Sequence, residues 1–488
     1  MAGGGWASAG RVAEAIRRRE MSAVEAPAEQ LDRIARVDSG LCSVVTLDAE
    51  AARRRAEEAD KALAAGEVWG PLHGVGVTIE DLHATAGMRS TFGGSPVFAN
   101  NVPDADATVV ARLRAAGAIV VGKTNGPCFW GQDSVFPATK NPWNPDRVAG
   151  GSSTGPAVAV AAGLTPFDIA GDTRGSIQCP AAYCGMFGMR PTEHRVPLTG
   201  TIFIDPIRKF RVLTTAGPMA RSVEDLRLAM QVIAGPDGRD PEVPPVPWRD
   251  TAPVELTGLR VGYSPEYPSF VDGEIRAGTD ALVAELQELG VIVEDRLPDP
   301  ALAEHGQVVE ELWPMLVSAA ESPPAGSDLP GSGSLWNYLA SLDRRDRFMA
   351  SWERYFATCD AFIAPAMPMR AWCVDDGEWR VDAGGPADDS PRAQAFVALL
   401  LSQVSGCPMV VIPVGIDTNG VPFAIQVIGR RWHDEQLLAL AEAIAAVTGG
   451  FRPPLESEAT SHTPNRRHSE RLTTQTSGNA RNTVLRRR

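Results

Sequence analysis

The chain has 488 residues, 44% apolar and 22% charged, an ordinary balance for a folded globular protein and long enough for one large α/β unit. A formal net charge of −14 argues against nucleic acid or an anionic membrane surface as the main partner. That charge is uneven, since residues 457–488 hold seven arginines against two glutamates and leave an acidic body of about −19.

Segments near Ala23–Val37 and Ala49–Ala65 set charges on one face and Ala, Leu or Ile on the other, which predicts two helices. A short apolar run, Val75–Ile79, reads as a strand ending at Glu80 and Asp81. A helix over about Ala105–Ala116 and a buried strand, Ala118–Gly122, follow. This βαβ alternation predicts an α/β fold with helices around a mixed, mostly parallel central sheet. Ser222 with Asp225 makes an N-terminal cap for a helix reaching Ile233. Leu259–Tyr263 and Val291–Asp295 read as strands bracketing another helix, with Pro-rich loops at Asp237–Pro253 and Ser322–Gly333. The runs DAFIAP, PMVVIPV and VPFAIQVIG are the last strands, before a helix over His433–Val447. Residues 1–455 are expected to form one domain with its core in about 23–446, and the polar stretch 456–488 a disordered basic tail.

Seven cysteines (Cys42, Cys128, Cys179, Cys184, Cys359, Cys373 and Cys407) are scattered, with no CxxC pair and no zinc-finger spacing. They read as small buried hydrophobes in a reducing compartment. The start, MAGGGWASAG, lacks the apolar run of a signal peptide, and no stretch has the apolar length of a membrane helix. The expected setting is the cytoplasm, with no membrane partner.

The most informative segment is GGSSTGPAVAVAAG (Gly150–Gly163), followed by FDIAGDTRGSIQCPAAYCGMFGMRPT (Phe167–Thr192). A Gly-Ser loop entering an Ala-rich helix offers N–H groups and hydroxyls at a positive helix end. A second tight turn, GDTRGS, holds a hydroxyl among backbone N–H groups, as a nucleophile with an oxyanion hole requires. The pair closely resembles the amidase signature, in which GGSSGG is followed by GTDTGGSIRIPAAFCG and GLKPT. The similarity extends to PLHGVGVTIEDLHATAGMRSTFGG, GKTNGPCFWG, NPWNPDRVAGGSS and the C-terminal SQVSGCPMVVIPVGIDTNGVPFAIQVIGRRWHDEQLLALA. It spans roughly Ala23–Ala446.

The resemblance implies hydrolysis of amides, and sometimes esters, by a serine–cis-serine–lysine triad. It assigns the nucleophile to Ser176 and the bridging serine to Ser152. The oxyanion hole falls to the N–H groups of Thr173, Arg174, Gly175 and Ser176, with Ser153 and Asp172 ordering the loop. Three positions depart from the family pattern. Glu80 stands in place of the lysine beside a retained Asp81, Thr154 replaces a signature glycine, and Arg174 replaces a glycine of the oxyanion loop. A carboxylate is a far weaker base than an amine, so Glu80 serves as catalyst only if burial raises its pKa. Arg174 is expected either to pair with Glu80 or to bind a substrate carboxylate. If the replaced glycine had a left-handed backbone, Arg174 would cost about 1–2 kcal/mol there.

His73, His83 and His194 lie beside signature segments without a metal or Ser–His spacing, so structural roles are the expectation. Trp130, Trp313, Trp336 and Trp352 are candidates for lining a pocket, with core packing the default. Three functions stay open: an acyl-transfer enzyme acting on an amide C–N bond or an ester, a repurposed biosynthetic enzyme (amide formation or cyclisation) using Glu80 as acid or base, and a non-catalytic homologue that binds a ligand or partner. The expected partner is a small-molecule amide or ester, with no cofactor and no metal, and family behaviour is compatible with a homodimer.

Overall fold

Two sheets carry the fold, and the strand that ends at Glu80 belongs to the smaller one. The structure, a computed structural model, describes residues 6–126, 134–201, 212–321, 334–374 and 391–454. The expected tail, the loop at 322–333 and Trp130 lie outside the described residues.

The chain begins with α1 (Ala9–Arg17), α2 (Glu25–Val37), β1 (Val44–Leu47) and α3 (Ala49–Ala64). Asp48 caps α3 by accepting the Ala51 N–H at 2.9 Å, and Ala52, Ala56 and Ala59 line its buried face. Then come β2 (Gly76–Glu80), α4 (Thr108–Ala115) and β3 (Ile119–Thr124). The small sheet has the order β1–β3–β2, with β3 parallel to β2 and antiparallel to β1. Both β2 and β3 are buried throughout, which is why they read as near-continuous apolar runs.

The middle of the chain is α5 (Thr154–Ala161), β4 (Phe167–Asp172), α6 (Gln178–Cys184), β5 (Phe187–Arg190), β6 (Thr215–Ala220) and α7 (Val223–Ile233). Ser222 caps α7 through the Asp225 N–H at 3.1 Å, as its sequence indicates. Next are β7 (Arg260–Gly262), α8 (Gly273–Glu288), β8 (Ile292–Glu294), α9 (Leu302–Glu321), α10 (Leu335–Tyr355) and β9 (Ala361–Pro365). The chain closes with α11 (Pro391–Ala398), α12 (Leu401–Ser405), β10 (Met409–Ile416), β11 (Pro422–Ile428) and α13 (Asp434–Thr448).

The large sheet has eight strands in the order β4–β6–β5–β10–β11–β9–β7–β8. It is mixed and surrounded by helices, as expected, but it is not mostly parallel. Five pairings are antiparallel, and only β7–β8 and β7–β9 are parallel. Short links account for this: β10 and β11 form a hairpin closed at Asp417–Gly420, whereas a helical crossover such as α8 is needed to set strands parallel. Alternate residues of β10 enter two cores. Met409 and Val411 pack with α6, α9 and α12, while Val410 and Ile412 pack with α7 and α13. The chain through Pro454 forms one compact unit, and among the described residues no helix is long and apolar enough to cross a membrane.

Candidate active site

The two signature loops meet at their serines. Ser152 lies after a cis Gly151–Ser152 peptide, two residues before α5, and Ser176 lies in the turn between β4 and α6. Their hydroxyls share a hydrogen bond of 2.9 Å, and the Ser153 N–H donates to the Ser176 carbonyl at 3.3 Å. Gly150 permits this approach: its φ is +81°, and a Cβ there would lie 2.7 Å from the backbone of Pro180.

Asp172, the last residue of β4, fixes the nucleophile turn. One carboxylate oxygen accepts the Gly175 N–H at 3.1 Å and the other the Ile177 N–H at 2.8 Å. The fully buried Arg190 and Gln403 each donate to the first oxygen at 3.1 Å. Ser153 donates to the Gly171 carbonyl at 3.1 Å. The Gly175 N–H therefore points to Asp172 rather than toward an oxyanion, which narrows the expected donors to Thr173, Arg174 and Ser176. The left-handed position in the turn is Gly175, with φ +85°. Arg174 is not among the positive-φ residues, so the backbone cost expected for its side chain does not arise.

Glu80 ends β2 and is completely buried. One oxygen accepts the Gly171 N–H at 2.8 Å, and the other has no hydrogen-bond partner among the described residues. No hydrogen bond joins Glu80 to Ser152 there. The space for the carboxylate comes from Gly126, where a Cβ would lie 2.8 Å from it. Burial pushes the Glu80 carboxyl up to about 8, and the nearby Asp168 and Asp81 charges add to this against the Gly171 N–H.

Around Glu80 lies a buried charged group of which the sequence motifs single out Asp81 but not Lys123 or Asp168. Asp168 accepts the hydroxyls of Thr78 at 2.6 Å and Thr124 at 2.9 Å, and burial raises its carboxyl to about 7. Lys123 donates to the His83 carbonyl and, at 2.9 Å, to Thr85, while burial lowers its amine to about 8 against the pull of Asp81, Asp168 and Glu80. Asp81 accepts the Thr91 and Gly93 N–H groups and the Thr91 hydroxyl. A signal was available: Lys123 and Asp168 each interrupt an otherwise apolar strand, AIVVGKT and FDIAGD.

Arg174 does not pair with Glu80. Its guanidinium meets Glu310 of α9 and lies over the Trp313 ring, 5.6 Å from its centroid. The turn sends this side chain toward α9, whereas Glu80 is held against β4 by Gly171. Thr154, in place of the signature glycine, donates to the Gly150 carbonyl at 2.8 Å and so ties the serine loop to α5.

The Amidase family profile matches residues 25–322 and 325–438. The chain belongs to the amidase family. A glutamyl-tRNA(Gln) amidotransferase subunit from Symbiobacterium thermophilum is 32% identical over 499 residues, covering 92% of this chain and 99% of that protein. Its namesake from Roseiflexus sp. is 33% identical over 486 residues, with 89% and 95% covered. Among solved structures, a bacterial aryl acylamidase of the amidase-signature enzymes superposes with a TM-score of 0.77 at 25% identity, over 90% of this chain and 96% of its own.

In this member of the family no histidine candidate hydrogen-bonds to Ser152 or Ser176 among the described residues. His73 accepts the Trp69 N–H and faces the Ala59 carbonyl, and His83 contacts Thr201. His194 lies beside Glu193 and Glu242. Cys179 and Cys184 are buried and their thiols are pushed up by burial, that of Cys179 to about 12. Trp352 is core, Trp336 is exposed, and Trp313 alone of the described tryptophan candidates approaches the nucleophile turn, through Arg174.

Proposed function

We propose that this amidase transfers acyl groups from the C–N bond of an amide, or from an ester, through Ser176, in an atypical site where Glu80 replaces the family lysine. The observation that carries the reading is the 2.9 Å hydrogen bond between Ser152 and Ser176 at the head of a turn ordered by Asp172. Ser176 attacks the carbonyl carbon while its proton moves to Ser152, and Ser152 passes its own proton to the leaving atom as the C–N or C–O bond breaks. The N–H groups of Thr173, Arg174 and Ser176 receive the oxyanion. Water or another nucleophile then releases the acyl group.

Glu80 is not the base in this scheme. Burial does raise its carboxyl, to about 8, but the wholly buried group is held by the Gly171 N–H and makes no hydrogen bond to Ser152. The same burial speaks against a biosynthetic role in which Glu80 touches the substrate. The relay therefore ends at Ser152, and turnover is low and favours good leaving groups. Likeness to subunits of amidotransferases supports a protein partner in addition to the homodimer that family behaviour suggests.

A serine-directed fluorophosphonate tests this reading. Labelling that disappears in Ser176→Ala, with turnover of activated esters, is the expected result. A folded protein that neither labels nor turns over would instead be a non-catalytic relative that binds a ligand or partner.

A further inference from the structure

Arg174 stands two residues before Ser176, and what it presents to an incoming substrate depends on its partner. One partner, Glu310, comes from α9 together with Trp313, three residues further on and so on the same helix face. The Arg174 side chain is 7% exposed and that of Glu310 is 41% exposed. The guanidinium is thus covered, and the charge offered to solvent is the carboxylate. Only one Glu310 oxygen meets Arg174, and the other has no hydrogen-bond partner among the described residues. Helix α9 also packs in the same core as Leu400, whose methyl lies 3.5 Å from where a Gly175 Cβ would sit. Helix α9 itself reaches the nucleophile turn through Arg174.

We propose that Glu310 selects an acyl group carrying an ammonium or guanidinium and disfavours one carrying a carboxylate. The second Glu310 oxygen accepts the cation's N–H, while Trp313, whose ring face already carries Arg174, holds the arginine in place. A substrate carboxylate meets Glu310 first and reaches Arg174 only by displacing it. Arg174 in turn moderates the preference, because its charge compensates part of that of Glu310. The inference rests on the acyl-transfer reading above and names the substrate class for the same site.

The test uses p-nitrophenyl esters of equal acyl length ending in an ammonium, a neutral methyl or a carboxylate, read as ratios of kcat/KM. In the wild-type protein the ammonium ester is expected to exceed the carboxylate ester by about tenfold or more. Glu310→Gln should lower that ratio about tenfold, and Arg174→Gln should raise it. A purely structural ion pair would move both variants the same way, so opposite signs are the decisive result. Equal ratios in all three proteins, or a shift of the same sign in both variants, overturns the proposal. Fluorophosphonate labelling keeps the two readings apart. A labelled protein without ammonium preference loses this inference alone. An unlabelled one loses the acyl-transfer reading, and the Kd ratios of the corresponding amides on the same variants then decide this inference by the same signs.

Discussion

The Glu80 carboxylate accepts the Gly171 N–H at 2.8 Å, and this bond holds it against β4 rather than against Ser152. A lysine at residue 80 has a longer side chain and an amine that can accept a proton from Ser152 in its neutral form. Asp168 and Asp81 are already close enough to influence this position. Glu80→Lys should therefore raise turnover of activated anilides and esters by about 10²-fold or more, the scale of a restored general base. Unchanged turnover in a folded variant would mean that the serine pair is not limited by its base.

The buried carboxyl also ties stability to pH. The folded-state pKa of Glu80 is raised from 4.5 to about 8, so between those values the native protein keeps a proton that the unfolded chain has released. Stability must then fall as pH rises through this window, by on the order of a few kcal/mol in total. Asp168, raised to about 7, acts in the same direction. Glu80→Gln removes its share, so the Tm of the wild-type protein should drop further than that of the variant between pH 5 and pH 8. Parallel Tm curves would contradict the burial assigned to Glu80.

Much of this was legible in the chain itself. The strand at β2, the cap of α7 and the two serine loops follow from apolar period, capping residues and Gly-Ser composition, all of which are local. The direction of strand pairing was not, because β5, β6 and β10 become neighbours through links whose path local pattern does not specify. The partner of Arg174 was missed for a related reason. Two complementary departures, Glu80 and Arg174, suggested a pair, but Glu310 lies 136 residues beyond Arg174 in a helix with no signature. Lys123 and Asp168 carried a readable signal, a charge inside an apolar strand, yet their meeting depends on the packing of β2 and β3 against β4.

Asp172 should matter to both chemistry and stability. It accepts two turn N–H groups, Arg190 and Gln403, all from within the core. Asp172→Asn turns one acceptor into a donor facing other donors and removes the charge opposite Arg190. Labelling of Ser176 should slow by about 10²–10³-fold, the effect of losing an aligned oxyanion donor. Urea unfolding should show a loss of about 1–3 kcal/mol, because Arg190 keeps the more distant Glu193 carboxylate, at 3.8 Å, as its remaining charge partner. A variant that unfolds like the wild-type protein and still labels at its rate would remove Asp172 from the positioning role.

Gly155 is the place where α5 touches the end of β3. Its N–H donates to the Asn125 carbonyl at 2.7 Å, and a Cβ would lie 2.2 Å from the Asn125 nitrogen and 2.4 Å from its carbonyl oxygen. Both are backbone atoms, so no side chain can rotate away. Gly155→Ala must push α5 off β3 or distort the loop that carries Ser152, three residues earlier. Overpacking of this kind costs about 1–3 kcal/mol or more. The shift should also lengthen the Ser152–Ser176 hydrogen bond, so labelling should slow even at temperatures where the variant remains folded. Circular dichroism and labelling followed together separate the two effects. A variant with unchanged Tm and unchanged labelling would show that α5 does not approach β3 as closely as the Gly155–Asn125 bond requires.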